Sequence, residues 1–169
     1  MSPERERYHL GFEEIVSNAK DVILKDGKHV PILIVDGDQG LLISQLNELP
    51  ATHHERAELM RFIGMTTAMS GKLKSLKQIF MVSEGWMSVA KKDGQPMVPP
   101  SQDPDRKEVL IVSGFELEGK RKYLKLFEIL RYGENSGVDL QELFPDTNKN
   151  GPVEVPLLEA FVYGFHFAF

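Results

Sequence analysis

A glutamate two residues ahead of the lone tryptophan, inside an otherwise apolar stretch, is the first feature of this chain that could do chemistry. The stretch is Met81-Val-Ser-Glu-Gly-Trp-Met87. Read as a β-strand, Phe80, Val82, Glu84 and Trp86 form one row, and Ile79, Met81, Ser83, Gly85 and Met87 form the other. Both rows are largely apolar, which predicts a central strand. A carboxylate between Val82 and Trp86 loses hydration, a cost that a cation or hydrogen-bond donors must offset. A carboxyl beside tryptophan is also a known form of general acid. Two plain alternatives stand next to that reading. Gly85 can mark a bulge that turns Glu84 to water, or Glu84 can pair with an arginine for structure alone.

The arginine that suggests itself is Arg106. Residues 91–106 hold Asp93-Gly94, Pro96, Pro99-Pro100 and Ser101-Gln-Asp-Pro-Asp-Arg106, a connection too long for a simple hairpin. Its prolines lower chain entropy and suit an ordered flap. Asp103-Pro104-Asp105-Arg106 has turn chemistry that sets Arg106 at the base of the returning strand, within reach of Glu84 if segments 76–90 and 107–116 pair. Trp86, Asp103 and Asp105 are then the candidate binding residues, with Glu84 and Arg106 the candidate catalytic pair. A solvated, proline-rich hairpin loop with Asp103 as a turn cap is the alternative.

The pattern Ser83-Glu84-x-Trp86 followed by Pro100-Ser101-x-Asp103-Pro104-Asp105-Arg106-x-Glu108 resembles one found in small bacterial proteins of no assigned function. It covers residues 80–112 and implies no activity.

Other constellations are incomplete. Asp146-Thr-Asn-Lys-Asn-Gly151 matches the first half of a calcium loop, but Leu157 stands where the bidentate glutamate belongs. His54 and Glu58 have i, i+4 spacing and make a metal half-site beside His53, without a third ligand in sequence. No bound metal or cofactor is expected. Neither a G-x-S-x-G elbow nor a P-loop is present.

The elements that must position these residues follow from periodicity. Phe12, Ile15, Val16, Ala19, Val22 and Ile23 make one helical stripe, closed by Asp26-Gly27 as a C-cap. Val30–Val35 and Leu41–Leu46 flank Asp36-Gly-Asp-Gln-Gly40 and predict a hairpin, with Pro31 placing its strand at an edge or standing at the first pairing position. Thr52-His-His-Glu55 has capping-box spacing and opens a helix over 53–70, whose buried side is drawn from Leu59, Met60, Ile63, Met65 and Met69. Extended segments follow at 76–90, 107–116 and 121–132. In the last of these Arg121, Lys125, Glu128 and Tyr132 also fit a helix face, but the turn Glu116-Leu-Glu-Gly119 favours a strand. Pro156–Phe169 closes the chain as a helix, and its stretch from Phe161 onward has five aromatic residues in nine. The result is one α+β domain over 1–169, an antiparallel sheet of about five strands in the order α-β-β-α-β-β-β-α. That order resembles roadblock-type dynein light chains and the profilin-like group, an analogy of topology that carries no function.

Composition sets the outer bounds. With 169 residues, 41% hydrophobic and 27% charged, the chain can bury a full core. Cysteine is absent, which removes disulfides, thiolate metal sites and thiol nucleophiles. A net charge of −5 offers no overall field for nucleic acid. No apolar run is long enough to span a bilayer and the charged start leads into no signal-like segment, so the expected location is cytoplasmic. The expected function is a non-enzymatic binding or assembly module, a homodimer that takes a protein partner or small ligand. Its support is the aromatic terminus and the lack of a complete catalytic set. The alternative is a small hydrolase-like enzyme with a pocket under the 91–106 loop, using Glu84 and Arg106.

Overall fold

The computed structural model describes residues 10–88, 102–133, 137–145 and 153–167. Among them are three helices, α1 (Phe12–Asp26), α2 (His53–Met69) and α3 (Pro156–Phe167), and six strands. The strands are β1 (Ile32–Gly37), β2 (Gly40–Gln45), β3 (Leu76–Met87), β4 (Lys107–Glu116), β5 (Arg121–Arg131) and β6 (Val138–Leu143). They form one antiparallel sheet in the order β2-β1-β3-β4-β5-β6. The expected α+β class and element order are present, with six strands in place of about five.

The added strand is β6. It pairs with β5 from Leu126↔Leu143 to Arg131↔Val138, which also settles segment 121–132 as extended. β3 and β4 pair without a register shift, so Gly85 faces Val109 and no bulge turns Glu84 away. Pro31 precedes the first paired residue of β1, and its carbonyl accepts from the Leu46 N–H at 2.8 Å. Its strand is therefore interior, and the edge is β2.

Two cores lie on opposite faces of the sheet. On one, Phe12, Ile15, Val16, Ala19 and Ile23 of α1 meet Phe80, Val82, Leu110, Val112, Phe127 and Ile129. Gly27 ends α1 in the left-handed region at φ 74°, and its N–H reaches the Ile23 carbonyl at 2.8 Å. On the other face, Leu33, Val35, Ile79 and Met81 pack beneath Met60, Ala68, Leu158, Phe161 and Phe165 of α2 and α3. Thr52 caps α2, its hydroxyl accepting from the Glu55 N–H at 3.2 Å.

The buried side of α2 matches the expected one in part, since Met60 is buried and Ile63 packs against the core. Met60, Gly64 and Ala68 face inward, whereas Met65 and Met69 are exposed. The reason is the approach of α3. A Cβ added to Gly64 would meet the Phe161 carbonyl oxygen, and one added to Gly164 would meet the Arg61 carbonyl oxygen. Two backbones this close admit only small residues at the crossing, and Phe62, Met65 and Met69 lie on the exposed side.

Candidate functional site

Glu84 lies opposite Leu110 in the β3–β4 register, in the row that faces α1. Gly27 turns the chain after α1 so that the His29 N–H points at the Glu84 carboxylate and donates to it at 2.9 Å. Glu84 is thus held by a backbone donor. It also contributes to the field that raises the Arg131 pKa, although the larger cause there is the hydrogen bond from Arg131 to Glu108. That pair is bidentate, with Nε to Oε2 at 2.9 Å and a terminal nitrogen to Oε1 at 2.6 Å.

Arg106 serves a different neighbour. Its guanidinium carbon stands 4.3 Å from the centroid of the Trp86 ring, a cation–π contact on a ring that is 49% exposed. The turn expected from Asp103-Pro104-Asp105-Arg106 is formed: Asp103 is buried, its Oδ1 accepts from the Asp105 N–H at 2.9 Å, and its carbonyl accepts from the Arg106 N–H at 3.2 Å. The five candidate residues therefore share one end of the β3–β4 ladder. Near these residues, Arg131 pairs with Glu108 and Lys107 with Glu128.

A cleft of about 770 Å³ opens on the opposite face. α3 reaches β5 through the Lys122–Glu159 ion pair. Beside that contact, Ile111, Ser113, Leu124 and Leu126 form the floor, with Arg56 of α2 and Leu157 of α3 on the walls. Ser83 also lines it and is buried. Glu84 and Trp86 border the cleft from a strand whose alternation directs their row toward α1. Arg56 Nε donates to the Pro50 carbonyl at 2.6 Å, so that cation is committed to holding the entry of α2.

The metal motifs add little. His54 Nε2 and Glu58 Oε1 are 3.0 Å apart as the spacing predicts, but both side chains are exposed and no group of three or more potential ligands gathers among the described residues. Asp146-Thr-Asn-Lys-Asn-Gly151 lies outside the described residues.

The C-terminal aromatics divide cleanly. Phe161 and Phe165 are in the core at 0% and 4% exposure, while Tyr163 and Phe167 are exposed and stack on each other at 4.6 Å. With Phe62, Met65 and Met69 of α2 they give the outer side of the helix pair an apolar surface. Sequence reasoning singled out the aromatic tail and missed its α2 counterpart, because it assigned Met65 and Met69 to the core. Gly64 and Gly164, spaced to fit one crossing, were the available signal.

No helix among the described residues is long and apolar enough to cross a membrane. The model of the family described as Bacteriophage lambda protein ea47 matches residues 1–163 of the chain. No curated protein and no solved structure matches it.

Proposed function

We propose, from the premise that the chain belongs to the Bacteriophage lambda protein ea47 family, that it is a non-enzymatic binding or assembly module acting as a cytoplasmic homodimer. The observation that carries this reading is the outer side of α2 and α3, where Phe62, Met65, Met69, Tyr163 and Phe167 are 37–73% exposed. Single exposed apolar residues need no explanation, but three on the outer side of α2 and a stacked aromatic pair on α3 expose more large apolar side chains than the outer side of α1 does, which supports an interface there. The family description names a phage protein and no reaction.

The hydrolase-like alternative has less support. Glu84 is hydrogen-bonded to a backbone amide on the α1 side, and Arg106 lies on Trp86, so neither is aimed at the cleft floor. Sedimentation equilibrium at micromolar concentration tests the main reading. A dimer is expected, and a strict monomer would remove its support.

A further inference from the structure

We infer that the cleft between the sheet and the N-terminal ends of α2 and α3 is a binding site for a small apolar monocarboxylate, its hydrocarbon part on Ile111, Leu124 and Leu126 and its carboxylate at Arg56. The inference goes beyond the homodimer reading and does not depend on it, since the site lies within one chain. At about 770 Å³ the cleft is within the range of cavities that take small ligands. The strand register builds its floor. Ser83, Ile111 and Leu126 stand side by side across β3, β4 and β5, with Met81, Ser113 and Leu124 in the next row. Ile111, Leu124 and Leu126 are large aliphatic side chains that belong to neither core and stay half-buried. They supply an apolar surface for a hydrocarbon.

The polar groups around this floor favour an anion. Ser83 is 7% exposed and lines the cleft, and its hydroxyl has no hydrogen-bond partner among the described residues. A buried hydroxyl left unpaired costs free energy that a ligand acceptor recovers. Arg56 is half-buried on the wall, and no carboxylate pairs with it among the described residues. Its Nε bond to the Pro50 carbonyl fixes the guanidinium plane and leaves the terminal N–H groups to a ligand. Both helices also begin here. His53 opens α2, and Val155, just before Pro156, has no side-chain acceptor to cap the first amides of α3. The two helix dipoles add positive potential. Three carboxylates at the border limit the head group to a single charge. Glu84 is held by the His29 N–H and Glu108 by Arg131, while exposed Glu154 adds repulsion that a dianion would feel twice over.

The test is calorimetric titration of the full chain with octanoate and with 1-octanol as its uncharged analogue. One octanoate per chain is expected, with a dissociation constant of about 0.1–1 mM, and 1-octanol should bind about tenfold more weakly. Arg56→Gln is expected to weaken octanoate about tenfold and to change 1-octanol by less than about twofold, the loss of a charge-assisted contact. Ser83→Ala should weaken octanoate about threefold. Leu126→Trp fills the floor and should abolish binding of both compounds. Circular dichroism checks the fold of each variant, and if Leu126→Trp unfolds, Arg56→Gln and Ser83→Ala carry the test. No binding of octanoate up to about 10 mM would overturn the site. So would equal losses of octanoate and 1-octanol in Arg56→Gln, binding that survives in a folded Leu126→Trp, or binding that falls instead with Phe62→Ser on the outer side of the helix pair. A parent that is monomeric in sedimentation equilibrium would remove the homodimer and leave this site standing.

Discussion

On one face of the sheet α1 buries Phe12, Ile15, Val16, Ala19 and Ile23 and turns Glu13, Glu14, Ser17, Asp21 and Lys25 to water, with Leu24 its single exposed large apolar side chain. On the other, α2 and α3 bury Met60, Leu158, Phe161 and Phe165 and turn Phe62, Met65, Met69, Tyr163 and Phe167 to water. Both layers close a core of similar make-up, yet only one has an outside built for solvent. The difference comes from how each helix approaches its support. α1 rests on side chains of the strands, so its own large residues fit inward and its surface is polar, tied to the sheet by Lys125–Glu13. α2 meets another helix at a backbone crossing that excludes side chains, and Phe62, Met65 and Met69 are left outside.

The largest expected effect falls on that crossing. Gly64→Ala puts a methyl group against the Phe161 carbonyl, which cannot rotate aside, and should cost about 3 kcal/mol, the upper part of the range for overpacking. Ser17→Ala on the outer side of α1 should stay within about 0.5 kcal/mol. Urea denaturation of both variants measures the contrast, and a near-neutral Gly64→Ala would mean the helices are farther apart than described. Next in size is Phe62→Ser. A central aromatic anchor typically contributes about 2 kcal/mol to association, so the dimer dissociation constant should rise about thirtyfold in sedimentation equilibrium, while the same change at exposed Leu24 leaves it unaltered.

A smaller effect tests the candidate residues on the α1 side. A double-mutant cycle between Arg106→Ala and Trp86→Ala should give a coupling of about 0.5–1 kcal/mol, the scale of an exposed cation–π contact. The same cycle between Arg106→Ala and Glu84→Gln should be additive within about 0.5 kcal/mol. Strong coupling in the second cycle would restore the catalytic pairing. The smallest effect belongs to the β1–β2 turn. The Asp38 carboxylate accepts from the Ser75 and Lys74 N–H groups, and these, Ser75 foremost, hold its pKa below the ordinary 3.8. A group whose pKa is depressed by folding contributes stability above its unfolded value and loses it as pH falls through the folded one. Asp38→Asn should therefore lower stability slightly at neutral pH, and its difference from the parent should shrink as pH falls below 3.8, flattening the acid side of the stability profile.

Much of this fold is legible in sequence because its signals are local. Gly27 as a C-cap, Thr52 as an N-cap and the bounds of β4 follow from one or two residues each. β6 was missed since Val138-Asp-Leu-Gln-Glu-Leu143 alternates for only a few residues, and its partner β5 was itself ambiguous. The inward side of α2 was misassigned in part, for a different reason. Periodicity weights large apolar residues, whereas a close helix crossing selects small ones, and Gly64 has meaning only beside Gly164. Of the site residues, the turn at Asp103 was readable from its types. The allocation of Glu84 to the His29 amide was not, because a backbone donor 55 positions away leaves no mark in side-chain chemistry.

The glycine crossing also bears on the order of assembly. Everything the α1 core uses lies between Leu10 and Leu140, but the other core also needs Val155, Leu158, Phe161 and Phe165 of the later segment. Gly64 must wait for a residue 100 positions later in sequence. During synthesis, at roughly 5–20 residues per second, the α1 layer can close about one to five seconds before α3 exists as a partner for α2. In that interval Leu33, Val35, Ile79 and Met81 are left without their lid, and the chain carries a transient adhesive face that the last twelve-residue helix removes.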